Sequence, residues 1–254
     1  MKRQIRIYDR DSWLGRYRDV IDRRTAKLLG KKKELAGEGR LSLAVNGAMH
    51  YCLHRENGKY MFREWAPNAS RIYLIGSFNG WRRSPEWALE PVGGGNWELA
   101  VDESLISHGD LYKWYVEWPG GGGERLPAYA VRCVQDPETK IFSAQVWDPE
   151  KPYRWHRKRG PKVQNPIIYE THIGMCSEEQ KVATFTEFRE KVLPRIKDGG
   201  YNTIQIMALQ EHPYYGSFGY QVSNFFAPSF RFGTPDELKE LIDAAHKLGI
   251  SVIL

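Results

Sequence analysis

The spacing of apolar residues changes along this chain, and the stretch after residue 166 constrains the fold most. Ile167-Ile168-Tyr169-Glu170-Thr171-His172 is a strand candidate. Thr184-Phe185-Thr186-Glu187 has the form of a capping box, in which hydroxyl and carboxylate satisfy each other's orphan backbone amides. Phe185, Phe188, Val192, Leu193 and Ile196 then keep helical spacing to Gly199-Gly200. Pro194, with no N–H to donate, is expected to kink that helix. Thr203-Ile204-Gln205-Ile206-Met207 is a second strand. Thr234-Pro235-Asp236-Glu237 supplies an N-cap, a proline at the first helical position and a capping glutamate. Leu238, Leu241, Ile242, Ala245 and Leu248 form the buried stripe of this helix, which Gly249 stops before Ser251-Val252-Ile253-Leu254 opens a third strand. Strand–helix–strand–helix–strand begins a parallel α/β domain. An eight-fold βα barrel takes ~250 residues and fewer than half that number follow residue 166, so the expectation is the first three strands of a truncated (β/α)8 TIM barrel. A short open α/β domain is the alternative.

Upstream the period is different. Tyr60-Met61-Phe62-Arg63-Glu64-Trp65, Arg71-Ile72-Tyr73-Leu74-Ile75, Trp97-Glu98-Leu99-Ala100-Val101 and Leu111-Tyr112-Lys113-Trp114-Tyr115-Val116 are short aromatic and β-branched runs. Turn signals separate them at Pro67-Asn68, Asn79-Gly80, Gly93-Gly94-Gly95-Asn96, and Pro119 with its four glycines. This pattern predicts a β-sandwich of immunoglobulin-like type over residues 41–150. Seven of the nine tryptophans fall between Trp65 and Trp147, more than a core of this size needs, which points to a surface that binds something with flat apolar faces. Trp97 and Trp114 alternate with polar neighbours and are read as core. Residues 1–40 form a helical segment that starts at Trp13, capped by Asp11 or Ser12. Its stripe is Leu14, Tyr17, Val20, Ile21, Leu28 and Leu29, broken at Gly37 and Gly39. Residues 151–254 hold the linker and the α/β part.

Charge and thiols narrow the partners. Net charge is +6, with net +7 in residues 1–40 and net +5 in residues 150–163. No nucleic-acid recognition motif accompanies these runs, which read as a solvated helix face and a basic linker. No apolar run approaches a membrane span, and the N-terminus lacks the apolar core of a signal peptide. Cys52, Cys133 and Cys176 form no C-x-x-C pair, and free thiols suit a cytoplasmic protein. No metal-ligand spacing or phosphate loop is present, so no cofactor is implied.

The stretch Glu211-His212-Pro213-Tyr214-Tyr215-Gly216-Ser217-Phe218-Gly219-Tyr220-Gln221 follows the second strand, where α/β barrels carry their active-site loops. Aromatic rings beside amides and carboxylates suit sugars, because a ring stacks on the C–H face while polar groups bond hydroxyls. With Gly200-Tyr201-Asn202-Thr203-Ile204-Gln205-Ile206-Met207, Phe225-Phe226-Ala227-Pro228-Ser229, Arg231-Phe232-Gly233-Thr234-Pro235 and Tyr169-Glu170-Thr171-His172-Ile173-Gly174, this stretch resembles the 1,4-α-glucan branching enzymes of the α-amylase superfamily. Trp65-Ala66-Pro67-Asn68-Ala69 and Gly76-Ser77-Phe78-Asn79-Gly80-Trp81 resemble the family-48 carbohydrate-binding module that precedes the barrel in those enzymes. Ser77 stands where an aspartate is common.

The resemblance implies a transferase that cleaves an α-1,4-glucan with retention and passes it to a 6-hydroxyl. Retention needs two carboxyl groups ~5–5.5 Å apart. In the family these follow barrel strands 4, 5 and 7, so they are expected beyond Leu254, and residues 1–254 alone are expected to be inactive. Glu170 and Glu211 are read instead as hydrogen-bonding the barrel mouth, and His172 and His212 as loop-fixing hydrogen-bonders. The resemblance assigns Tyr220 to sugar stacking with Gln221 beside it, and in the β-module Trp81 to a sugar platform and Lys113 to hydroxyl binding. Trp65, Ala66, Pro67 and Asn96 are expected to flank that platform, with Glu38 reaching it. Trp65 can equally be a core residue. The partner implied is an α-1,4-glucan such as glycogen, starch or maltooligosaccharide. A non-catalytic glucan-binding protein and a related debranching hydrolase are the alternatives.

Overall fold

The computed structural model describes residues 6–157 and 159–254, so the basic start of the chain at Met1 to Ile5 and Lys158 of the basic linker lie outside the described residues. The chain divides into two compact units, Met1–Met49 and His50–Leu254.

In the first unit the Asp11 carboxylate accepts from the Trp13 amide at 3.0 Å and starts a 3₁₀ turn, Ser12–Tyr17. This turn runs into α1 (Arg18–Ala36), which ends where Gly37 takes a positive φ. The Tyr8 hydroxyl donates to Asp22 at 3.0 Å and ties the short helix Ile7–Arg10 to α1. The regular helix therefore begins five residues later than its apolar spacing suggests. No residue of α1 is buried, and Val20, Leu28 and Leu29 of the expected stripe are exposed. Two short helices beside one long one give that stripe no second layer within the unit.

The second unit opens with the β-strands. β1 (Cys52–Glu56), β2 (Lys59–Trp65), β3 (Arg71–Gly76), β4 (Glu90–Gly93), β5 (Asn96–Asp102), β6 (Leu111–Trp118), β7 (Gly121–Arg125), β8 (Cys133–Gln135) and β9 (Phe142–Gln145) form two antiparallel sheets. One has the order β1-β2-β5-β4, and the other β3-β6-β9-β8 with β7 paired to β6. Inward positions alternate along each strand: Tyr60, Phe62 and Glu64 on β2, and Tyr112 and Trp114 on β6. The Phe62 ring meets Tyr112 and Trp114 edge-on at 5.5 and 5.9 Å, joining the sheets. Trp97 and Trp114 are buried, as their alternation predicts. The glycine run after Pro119 is not only a turn. Gly120 turns the chain, and Gly121–Arg125 then pairs along β6, where its small residues lie over Tyr115 and Trp118.

The remaining strands form a parallel sheet, β10 (Ile168–Thr171), β11 (Thr203–Ile206) and β14 (Ser251–Ile253), in the order β10-β11-β14. Between β10 and β11 lies α2 (185–198), capped by Thr184 and Glu187. The helix departs from α geometry just before Pro194. One π-helical turn, Phe188–Val192, precedes it, and the Leu193 amide reaches back to the Phe188 carbonyl. The wider turn absorbs the missing donor and the ring. Between β11 and β14 lies α3 (Pro235–Lys247), with the Thr234–Glu237 capping box. Leu241 and Ala245 are fully buried against Ile204, Phe185 and Phe188, whereas Leu248, at the C-cap, is exposed.

The β-sandwich and the α/β part pack on each other. The two-stranded ladder β12 (Gln210–Glu211) and β13 (Asn224–Pro228) brings Ala227 into the core of the sandwich. Asn224 donates to the Pro127 carbonyl, and the Arg132 guanidinium donates to the Gly233 carbonyl. The linker is anchored as well. The buried Asp243 on α3 accepts from the Tyr153 hydroxyl, the His156 amide and ring, and the Arg157 amide.

Candidate functional site

The first group of expected site residues lies on the outer face of the five-stranded sheet. Asn79 accepts from the Gly76 amide at 2.9 Å and donates to the Leu74 carbonyl at 3.0 Å, fixing the turn after β3. Gly80 and Trp81 are both left-handed, with φ 62° and 60°. A bulky residue with positive φ is uncommon and costs about 1–3 kcal/mol, so the surrounding turn must hold Trp81 there. The result is an indole 40% exposed, with the Lys113 ammonium 5.5 Å from its ring centre. Lys113, only 7% exposed, is an outward residue of β6 whose ammonium donates to Glu124 of β7 at 2.7 Å. A flat apolar face, fixed N–H donors and a carboxylate together suit the two kinds of surface on a pyranose. Glu124 is not among the residues expected from the sequence. Only recognition of the glycine-rich strand, whose register sets Glu124 opposite Tyr115, could have identified it.

The second group lies at the rim of the four-stranded sheet. Trp65 is 56% exposed, and its ring N–H donates to the Gly94 carbonyl at 3.1 Å, so it is not a core residue. The Ala66 amide donates to the Gly95 carbonyl of this turn, and its own carbonyl accepts from the Trp97 indole of β5. Pro67 packs directly on Gly95, where a Cβ would stand 2.7 Å from the proline Cβ. Both polar ends of Asn96 are occupied. Its carbonyl accepts from the Tyr51 hydroxyl at 2.7 Å and its amide donates to Gly93 at 3.0 Å. Asn96 therefore holds the turn in shape. Among the described residues no hydrogen bond or ring contact joins this group to Trp81 and Lys113, which sit on the other sheet. Glu38 belongs to the first unit, is exposed, and lies 3.9 Å from Lys33.

The third group follows β10 and β11. Tyr220, 74% exposed, presents its ring beside the exposed Gln221 on a loop closed by the left-handed Phe218 and Gly219. Gly219 approaches Ala208 so closely that a Cβ would meet the alanine Cβ at 2.5 Å. Under this loop Glu211 is fully buried. It accepts from the His212 amide at 3.0 Å, the Ser229 hydroxyl at 3.1 Å, the Phe230 amide at 2.8 Å and the Arg231 guanidinium at 3.2 Å. Burial pushes its carboxyl above the ordinary value, and those four bonds oppose the rise. Fully buried and holding four donors, Glu211 fastens the loop. Glu170 is exposed on β10 and accepts from Gln205 at 3.2 Å.

The two histidines differ. His212 uses Nδ1 on the Gln210 carbonyl at 2.9 Å. His172 makes no ring hydrogen bond and instead packs edge-on between Tyr215, Phe218 and Phe232, so it holds the loop by packing and not by the expected bond. Burial, with His212 nearby, pushes its pKa below the ordinary value and keeps the ring neutral at pH 7. Among the described residues no cluster of three His, Cys, Asp or Glu side chains could hold a metal ion. No helix among them is long and apolar enough to cross a membrane.

Comparison with known proteins gives this geometry a context. Residues 49–137 match the family described as carbohydrate-binding module 48 (isoamylase N-terminal domain). A Dictyostelium discoideum protein named 1,4-alpha-glucan-branching enzyme is 40% identical over 255 residues, covering 98% of this chain and 37% of that protein. The Aspergillus oryzae protein of the same name is 41% identical over 254 residues, covering 96% of this chain and 37% of that protein. The Arabidopsis thaliana protein named 1,4-alpha-glucan-branching enzyme 2-2, chloroplastic/amyloplastic, is 39% identical, covering 98% of this chain and 32% of that protein. The chain thus spans about a third of the length of the curated relatives it matches. Its fold is shared with the pullulanase from Bacillus acidopullulyticus, at TM-score 0.65 and 20% identity over 80% of this chain and 28% of that one. It is shared too with GBS pullulanase SAP in complex with maltotetraose, at TM-score 0.64 and 18% identity over 88% of this chain and 34% of that one.

Proposed function

We propose that this chain is the glucan-holding portion of a 1,4-α-glucan branching enzyme. It comprises a helical segment (1–40), a carbohydrate-binding sandwich (41–150), and a linker with the first three strands of a (β/α)8 barrel (151–254). The observation that carries this reading is the pairing of near-complete coverage of the chain at about 40% identity to branching enzymes with the exposed Trp81 platform over Lys113. The ligand is α-1,4-glucan as glycogen or starch. Trp81 stacks on a sugar face, and Lys113 with Glu124 bonds its hydroxyls. Tyr220 and Gln221 form one wall of the cleavage subsite at the barrel mouth. The three thiols remain free, in keeping with a cytoplasmic protein of glycogen synthesis.

Branching with retention needs two available carboxyl groups ~5–5.5 Å apart. Glu211 is fully buried beneath four donors and Glu170 lies exposed along β10. Residues 1–254 alone therefore bind glucan without rearranging it. The test is calorimetric titration of the purified chain with maltoheptaose, together with incubation on amylose followed by proton NMR for α-1,6 linkages. Binding that weakens about tenfold in Trp81→Ala, with no new branch points, is the expected result. Unchanged affinity in Trp81→Ala overturns the assigned platform, and α-1,6 linkages formed by the chain alone overturn the inactivity. A green fluorescent fusion confined to plastids overturns the cytoplasmic assignment.

A further inference from the structure

We propose that Arg71, Arg82 and Arg83, beside Trp81 on the five-stranded sheet, form a phosphate subsite that takes a phosphate monoester carried on the glucan. It rests on the reading that Trp81 binds α-1,4-glucan, and it names a substrate class for that site, glucan bearing phosphate esters. Arg82 and Arg83 follow Trp81 directly, and Arg71 opens β3. All three are exposed. The Arg83 guanidinium lies over the Tyr115 ring, 4.2 Å from its centre. Tyr115 stands two residues after Lys113 on β6, so both side chains leave the same face of the sheet, roughly 7 Å apart. The Arg71 guanidinium donates to the Tyr73 hydroxyl at 3.4 Å, and Tyr73 is the partner of Tyr115 across the ladder. The guanidiniums thus continue the row that begins at Trp81 and Lys113.

Charge sets the class of ligand. Glu117 stands opposite Arg71 in the β3–β6 register and 3.7 Å from Arg83. Glu124 is held by Lys113 at 2.7 Å, and Glu86, further along the turn, is engaged with Ser84 and its own amide. Among the described residues Arg82 has no ion-pair partner, and its Nε lies beside Gly80, 3.9 Å from where a Cβ there would stand. Three guanidiniums against Glu117 leave two positive charges. A phosphate monoester carries about −1.5 to −2 at pH 7, which matches them. The Arg83–Glu117 contact is longer than a hydrogen bond, so the Arg83 N–H groups can turn to a phosphate without breaking one. Stacking on Tyr115 holds the Arg83 fork flat in advance, and a planar fork bonds phosphate oxygens in pairs. A free sugar phosphate would meet the arginines without reaching across to Trp81, so a phosphate on a glucan chain gains from both contacts.

The experiment is calorimetry on the full 254-residue chain with maltoheptaose, maltoheptaose carrying a single 6-phosphate ester, and glucose 6-phosphate. In the unaltered chain the ester is expected to raise the affinity for the heptaose about tenfold, and added sodium chloride to shrink that ratio. In the double variant Arg71→Gln with Arg83→Gln the ratio falls to about one. Arg83→Lys, which keeps the charge and loses the planar fork, retains part of it. Equal affinity of the unaltered chain for the two heptaoses, or a tenfold ratio that survives the double variant, overturns the phosphate subsite while the Trp81 reading stands. Glucose 6-phosphate bound as tightly as the phosphorylated heptaose overturns the glucan as the source of the phosphate. If the unaltered chain binds neither heptaose, the subsite and the glucan reading are both overturned.

Discussion

Substituting Asp243 tests how the linker is held. Its carboxylate is buried on α3, with Oδ2 accepting from the Tyr153 hydroxyl at 2.9 Å and from the His156 amide and ring at 2.9 and 2.7 Å, and Oδ1 accepting from the Arg157 amide at 3.0 Å. A hydrogen bond to a charged group is worth about 1.5–3 kcal/mol net. The donors sit on a half-exposed linker and regain water once released, so the four bonds do not add. We therefore expect Asp243→Ala to favour linker opening by about 3 kcal/mol. Tryptic cleavage after Arg154, Arg157 and Arg159 reads that opening directly. Where opening and closing are fast relative to cleavage, about 3 kcal/mol becomes a rate increase of about a hundredfold. Asp243→Asn keeps one acceptor oxygen and is expected to fall between the two. Burial would raise the Asp243 pKa, but the bonds from His156, Tyr153 and Arg157 outweigh it and hold the carboxyl well below the usual range. With a depressed folded pKa, the anchoring contribution is present above the unfolded value of about 3.9 and is lost only as pH falls through the folded one. Burial and the Asp243 bond also push the Tyr153 phenol up to about 12, so it remains a donor at the pH of the assay. Equal cleavage rates for Asp243→Ala and the unaltered chain would refute the anchoring argument.

Other expectations can be checked more briefly. Glu211→Ala strands the buried Ser229 hydroxyl and the Arg231 guanidinium and should cost about 3–5 kcal/mol in urea unfolding. Because burial raises the folded pKa of Glu211, its ionisation opposes folding as pH rises through that value, so the unaltered chain should gain stability relative to Glu211→Gln as pH falls from neutral toward the unfolded value of about 4.3; a constant difference would contradict this. Gly95→Ala adds strain at φ 81° and a 2.7 Å approach to Pro67, and should cost about 1–3 kcal/mol in thermal unfolding. Cys176 should react with a thiol reagent before Cys52 and Cys133, which are buried, with burial pushing the Cys52 thiol up to about 12 and Cys133 still higher.

Local chemistry is where the amino-acid order was most legible. The Thr184–Glu187 and Thr234–Glu237 boxes form as their spacing requires, because capping joins groups only three residues apart. Period-two alternation likewise marked Trp97 and Trp114 as core, since each strand residue's facing depends on its immediate neighbours. The strand order β10-β11-β14 follows from βα units whose helices return each strand beside the last. The motifs that pointed to Trp81 and Lys113 stand at a turn and a strand whose geometry is equally local.

What required the tertiary structure was the identity of the group facing each side chain. Trp65 could be core or surface by sequence, and it is the register Trp65↔Asn96 and the bond to Gly94 that hold it outward. Asn96 has the chemistry of a hydroxyl binder, but Tyr51, 45 residues away, occupies its carbonyl. His172 was expected to bond and instead packs among rings from the Tyr215 and Phe232 segments. The stacked rings of Tyr51, Tyr129 and Phe226 join two parts that differ in hydrophobic period, and no local pattern encodes them. Hydrogen-bond caps and strand alternation are written within a few residues. The partner of a ring or carboxylate is chosen by long-range packing, which exists only once the sheets have closed on one another.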